Sequence, residues 1–248
     1  MTTQKMLSLM RKGITEYKMI KDGDKIAVGV SGGKDSVTLL KLLAEYQRFS
    51  PEKFTLYAIS IDLNFNKKST DYTLIKELCA DYGVEYHIVS TDIGEIVFDV
   101  RKESNPCALC SKMRKGALFD KAKELGCNKV ALGHHADDLI DTFALSLFFE
   151  GRLSTFAPKC YLDRTALTQI RPMIMIKESD ILGYSKTLPI VKSPCPIDKH
   201  TKREYVKETL KNISKEIPNL RDMMFTALTH PERYNLFDKF IKDCEEID

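Results

Sequence analysis

Residues 25–46 read KIAVGVSGGKDSVTLLKLLAEY: an apolar β run passes through Ser31-Gly32-Gly33-Lys34-Asp35-Ser36 straight into an amphipathic helical pattern. A strand that feeds a helix through so short a turn reaches its next neighbour by a crossover. This feature therefore commits the chain to a parallel sheet with helices on its faces. The rest of the pattern agrees. Apolar runs of strand length at 25–30, 54–62, 84–90 and 128–133 alternate with segments of helical period at 36–47, 70–82 and 111–125, the signature of βαβ units in a doubly wound α/β sheet. Beyond Gly151 the pattern weakens through Pro158 and Pro172, with one more strand expected at 167–173. SPCP at 193–196 then breaks the chain, and KREYVKETLKNISKEI and NLRDMMFTALTH read as amphipathic helices. Residues 4–21 read as a helix in front of the first strand. The expected organisation is an amino-terminal helix (1–24), an α/β sheet domain (25–192) and a carboxy-terminal helical extension (193–248).

Composition removes several function classes. With 248 residues, 43% hydrophobic and 29% charged, the chain supports one sizeable core plus a small appendage and is not disordered. A net charge of +3 excludes binding nucleic acid by bulk charge, so any such surface must be local. Residues 1–25 carry charges too often for a signal-peptide core, and no run of about 18 apolar residues occurs; a cytoplasmic chain without a membrane partner is expected. Seven cysteines, an odd number in a reducing compartment, call for a metal, redox or packing explanation rather than a disulfide framework.

Two adjacent glycines let backbone N–H groups turn inward without Cβ obstruction, and the helix dipole adds partial positive charge, so SGGKDS suits a phosphate. The spacing is neither GxxxxGK[ST] nor GxGxxG. A tight turn capped by Asp35 or Ser36 is the alternative for the glycines alone. The hexapeptide resembles the PP-loop of ATP pyrophosphatases, which split ATP between the α- and β-phosphates. That resemblance implies the parallel-sheet PP-loop fold, with Ser31, Gly32, Gly33, Asp35 and Ser36 cradling phosphate and Lys34 nearby. It also implies magnesium (Mg2+) bridging phosphate oxygens to a carboxylate such as Asp35, and adenine over the strand ends near Val30 and Asp62.

The fourth expected strand ends in Gly133-His134-His135-Ala136-Asp137-Asp138. His134 and His135 can contact nucleotide or substrate, and Asp137 or Asp138 can hold magnesium. Equally, acids are favoured in a helix's first turn and a histidine there is often a packing residue. After a PP-loop, GHHADD resembles the second motif of the subgroup acting on tRNA. Cys107-Ala-Leu-Cys110, expected just before the helix starting near Ser111, places two thiols at a helix amino terminus, where the dipole lowers their pKa and they can grip one metal centre. Cys195, framed by Pro194 and Pro196, is a third candidate ligand. A lone CxxC leaves redox pair, zinc and iron–sulfur open, and His200 is the nearest supplement for zinc. Cys79, Cys127, Cys160 and Cys244 are isolated.

The ordered set SGGKDS, PCALCSKMRKG, GHHADD, IRP, SPCP and LFD resembles the tRNA 2-thiocytidine biosynthesis family of PP-loop ATP pyrophosphatases over nearly the whole chain. The resemblance implies a tRNA-cytidine 2-sulfurtransferase in which Cys107, Cys110 and Cys195 hold a 4Fe-4S cluster, with one iron open to carry sulfur and Arg114 facing the site. ATP would adenylate the C2 oxygen of cytidine-32 in the anticodon loop, and sulfur would displace AMP. It also implies a cysteine desulfurase as sulfur source and a homodimer. PIDKH follows Cys195 where family members often carry a further cysteine. Residues 101–129 hold eight Lys/Arg against three acids, and residues 199–216 six against three; these flank the expected cluster ligands and suit RNA phosphates, although ordinary solvated helix faces look the same. Thiolation of a uridine, a lysidine-forming ligase and a non-catalytic nucleotide- and RNA-binding module with structural zinc are the other readings.

Overall fold

The computed structural model describes residues 2–65, 68–101, 106–191, 195, 201–234 and 236. Asn105, the two prolines flanking Cys195, Lys199, His200, Cys244 and most of the LFD segment lie outside the described residues.

Hydrophobic burial begins with β1 (Lys25–Gly29), whose Ile26, Ala27 and Val28 are wholly buried. Alternate side chains of a strand face opposite ways. Ile26, Val28 and Val30 therefore enter one core layer with α2 (Lys34–Gln47), while Ala27 enters the other with Leu118 and Phe119 of α5 (Pro106–Glu124). β2 (Thr55–Asp62) and β4 (Lys129–Ala131) flank β1 in parallel. With β3 (Glu85–Ser90), β5 (Lys159–Leu162) and β6 (Leu167–Ile170), the six-stranded order is β3-β2-β1-β4-β6-β5. Every pairing is parallel except the edge pair β5–β6. The winding reverses between β1 and β4, which opens a crevice at their carboxyl ends. At the opposite end Lys129 donates to Asp24 and to the Met19 carbonyl at 2.8 Å, which pins the starts of these two strands together.

The amino-terminal helix α1 (Thr3–Glu16) is capped by Thr2 and buries Met6, Met10 and Ile14, one stripe at four-residue spacing, in the main core against α2. It covers its own domain. α3 (Thr73–Asp81) joins the same layer, and α4 (Ile93–Glu95) runs on into a π-helical segment at Ile96–Arg101. α6 (Ala136–Glu150) follows β4 and packs against α8 (Lys202–Glu216) and α9 (Leu220–Thr229) through Ile140, Ala144, Val206 and Leu210.

Three local differences from the sequence reading have physical reasons. α5 starts at Pro106 rather than near Ser111, because proline needs no N–H partner at a first helical position; the CxxC thus lies inside the helix's opening turns. β6 ends at Ile170 rather than at residue 173, since Pro172 cannot donate to the sheet. β5 and the short α7 (Glu178–Tyr184) escape notice because their segments are too short for a periodicity to stand out.

Candidate functional site

A cavity of about 480 Å³ opens at the carboxyl ends of β1, β2 and β4. Its floor is the β1–α2 turn: Val30, Ser31, Gly33, Asp35 and Ser36. Gly33 is the N-cap of α2 and no side chain caps that helix, so its first N–H groups face outward for an anion. The turn is held from within. Ser36 donates to the Gly33 carbonyl at 2.9 Å and its oxygen accepts from the Ser31 N–H at 3.1 Å. Gly32 takes a positive φ of 84° beside Val191, whose N–H donates to its carbonyl at 3.0 Å. Gly133 is needed for a different reason: a Cβ there would sit 3.1 Å from the Asp35 backbone, so the β4–α6 turn lies directly on the β1–α2 turn.

The walls divide by chemistry. Ile59, Ile61, Leu63, Phe65 and Tyr72 make an apolar side, a slot suited to a flat ring. Ser111, Arg114, Lys115 and Leu118 come from α5, and Gly133, His134 and Asp138 from the second motif. Arg203 of α8 completes the lining. The carboxylates of Asp35 and Asp138 thus face the cavity paired with Lys34 and Arg203, and the basic side chains of Arg114, Lys115 and Arg203 line it.

Several residues singled out from the sequence stand behind this lining rather than in it. Asp62 is buried and accepts from Ser69 Oγ at 2.6 Å and from the Thr70 N–H at 3.0 Å, which orders the loop that brings Thr70 and Tyr72 to the cavity. Lys34 bonds the Asp35 carboxylate at 2.9 Å and Glu178 of α7 at 3.0 Å; burial lowers its pKa, but these two carboxylates outweigh that and leave it raised. His135 is the N-cap of α6: its ring accepts from the Asp138 N–H at 3.4 Å, and Asp138 accepts from the His135 N–H at 3.2 Å. Its Nε2 lies 3.8 Å from Asp35, linking the two motifs. Asp137 accepts from the Glu178 N–H at 2.7 Å and from Arg221 of α9 at 2.8 Å, tying α6 to α7 and α9.

His134 differs from its neighbour. Burial first, then the Arg171 guanidinium, push its pKa from 6.5 to about 4, so the ring is neutral at physiological pH. Its ring lies 5.0 Å from that of Phe156, over which Arg171 stacks at 4.5 Å. Arg171 is the arginine of the IRP motif; Phe156 carried no sequence signal. Glu178 and Arg203 were missed as well, because the only signal for Arg203 was its place in a basic segment.

On α5, Cys107, Cys110 (or Ser111), Arg114 and Leu118 share one stripe that runs down to the cavity. The Cys110 thiol is raised rather than lowered as the helix terminus suggests: burial pushes it up most, the Arg114 guanidinium opposes that, and the charges of Cys195 and Cys107 add to the rise. Cys107 and Cys195 are therefore each within electrostatic reach of Cys110, and both are exposed. Among the described residues no three donor side chains are already drawn into a metal cage. As a donor set, two thiols on one helix face, a third in reach and an adjacent arginine suit a thiolate-ligated metal centre at the cavity's edge.

A parallel sheet with an uncapped helix at its switch point and a second motif lying on that turn defines a PP-loop protein, and the family model described as a PP-loop domain matches residues 2–213. Among curated proteins, the chain is 39% identical over 233 residues, 92% of this chain and 86% of the relative, to a tRNA-cytidine(32) 2-sulfurtransferase of Pelobacter propionicus. It is 36% identical over 245 residues, 97% of this chain and 94% of the relative, to that of Syntrophotalea carbinolica. The chain belongs to the tRNA-cytidine(32) 2-sulfurtransferase family. Among solved structures it resembles the U34-tRNA thiolase NcsA of Methanococcus maripaludis with its [4Fe-4S] cluster, at 26% identity and a TM-score of 0.75, covering 95% of this chain and 80% of that one.

Proposed function

We propose that this protein is an ATP-dependent tRNA sulfurtransferase that converts cytidine-32 of the anticodon loop to 2-thiocytidine. The observation that carries the reading is the cavity itself: an uncapped helix amino terminus at Gly33 and the helix that bears Cys107 and Cys110, through its Ser111, Arg114 and Lys115, meet at one 480 Å³ space. ATP binds with its phosphates on the N–H groups of residues 33–36 and its adenine against Ile59, Ile61 and Phe65. The C2 oxygen of the cytidine attacks the α-phosphorus, the α–β bond breaks, and pyrophosphate leaves. The helix terminus, with Arg114 and Lys115, stabilises the charge that develops on the phosphates. Asp35 and Asp138 are the residues that would hold a magnesium ion, which when bound would supply positive charge beside the leaving pyrophosphate. Sulfide then attacks C2, the C2–O bond breaks and AMP departs with the oxygen, leaving C=S in place of C=O.

Cys107, Cys110 and Cys195 are the residues that would hold a 4Fe-4S cluster, which when bound supplies an iron without a protein ligand to carry the incoming sulfur. Arg114, one turn along the same stripe, keeps the thiolates paired with positive charge. Sulfur supply by a cysteine desulfurase, a homodimeric assembly and a cytoplasmic site of action belong to the same reading. Among the described residues no helix is long and apolar enough to cross a membrane.

The test is nucleoside mass spectrometry of unmodified tRNA incubated anaerobically with iron-loaded protein, magnesium-ATP, reductant and sulfide. An ATP-dependent cytidine that exchanges oxygen for sulfur is expected. The same exchange on uridine would move the substrate toward that of NcsA and keep the chemistry; no exchange with the cluster intact would favour a lysidine-type ligase. Ser36→Ala is expected to lose ATP-dependent activation while retaining iron, and Cys107→Ala to lose iron while retaining ATP binding.

A further inference from the structure

We propose that Arg203, delivered from the carboxy-terminal helix α8, is a phosphate-binding residue of the cavity, resting on Asp138 until its ligand arrives. The inference rests on the proposed function, since it concerns the same cavity.

Arg203 donates to Asp138 Oδ1 at 3.1 Å and to Thr142 Oγ1 at 2.7 Å, and it lines the cavity. Its side chain is nevertheless 41% exposed. A guanidinium has five donors in a planar fork, so two bonds leave most of that fork free for a phosphate. Asp138 does not depend on it: its other oxygen accepts the His135 N–H at 3.2 Å. The helix that carries Arg203 is anchored by Val206 and Leu210, both buried against α6. The head group is therefore held at the cavity while its own bonds are replaceable.

Arg221 of α9 is the internal comparison. It bonds two carboxylates, Asp137 at 2.8 Å and the wholly buried Asp141 at 3.2 Å, and does not line the cavity. That is a structural tie. Arg203 instead stands with Arg114 and Lys115 around the anion-facing terminus of α2. A cation at that place is complementary to phosphate, whether from the nucleotide or from the tRNA backbone.

The experiment uses the full-length, iron-loaded protein and measures a non-hydrolysable ATP analogue and unmodified tRNA separately, with thermal midpoints alongside. Arg203→Gln is expected to weaken one of the two by roughly tenfold to a hundredfold, the loss of a charge-assisted contact, with little change in midpoint. Loss on the analogue assigns the nucleotide's phosphate. Loss on tRNA, with the salt-dependence slope reduced by about one, assigns the RNA backbone. Arg221→Gln is expected to lower the midpoint while sparing both affinities. Should Arg203→Gln fail to fold, Arg203→Lys keeps the charge without the fork and is expected to lose several-fold. If the wild type binds both ligands and neither Arg203 variant changes either affinity, the inference is overturned and the proposed function stands. If the wild type binds neither ligand, the proposed function fails and the inference with it.

Discussion

Gly133 and His134 show how single residues set the site. A Cβ on Gly133 would meet the Asp35 backbone at 3.1 Å, and neither turn can retreat without spoiling the N–H groups of α2. Gly133→Ala is therefore expected to weaken ATP-analogue affinity about tenfold or more while leaving the fold intact, a cost of about 1–3 kcal/mol as for overpacking elsewhere; isothermal titration with circular dichroism checks it. For His134 the sign follows from its lowered pKa. The unfolded chain takes up a proton near 6.5 and the folded one only near 4, so stability is retained above about 6.5 and falls as the pH drops toward 4. Urea titrations at pH 7 and pH 5 should show that fall, and His134→Gln should flatten it; an unchanged slope would place the titration elsewhere.

Among elements, α1 and α5 have opposite duties. α1 is structural: Met6 and Met10 are fully buried in the core with α2, and Met6→Ala or Met10→Ala is expected to cost about 2–4 kcal/mol in chemical denaturation. Were α1 a free surface element, the loss would be a few tenths. α5 faces the cavity along one stripe and the core along another. Phe119 and Ala122 are buried beneath the sheet, whereas Ser111, Arg114 and Lys115 line the cavity. Pro106 decides where this helix begins, and so whether its two cysteines share a face.

At the scale of the whole molecule, the carboxy-terminal extension is wired into the site. Arg203, Lys207 and Arg221 meet Asp138, Asp141, Asp137 and Glu178, and Glu178 in turn holds Lys34 beside the phosphate turn. Asp141 has no exposure, and burial raises its pKa while Arg221 and Lys207 lower it. Arg221→Gln leaves that carboxylate with Lys207 alone, 3.9 Å away, and is expected to cost about 1–3 kcal/mol. The double variant with Asp141→Asn should recover part of the loss in thermal melts, because the wholly buried carboxylate is gone and only Asp137 is left without its arginine.

The parallel sheet, the phosphate turn and the cysteine helix were legible along the chain because their signals are local: hydrophobic period, adjacent glycines, a three-residue cysteine spacing. Locality also explains what was not legible. That Asp62 and Asp137 turn to loop and helix partners while Asp138 faces the cavity depends on Thr70, Glu178 and Arg221, residues distant in sequence. That His135 caps α6 while its neighbour His134 sits neutral beside Phe156 and Arg171 depends on which side of the chain packs inward. Local pattern along the chain sets strands β1 to β4 with the helices between them, and the residue types that gather at their ends. Which of those side chains reach the cavity is settled in three dimensions, because burial, charge and partners there are supplied by segments that meet through folding alone.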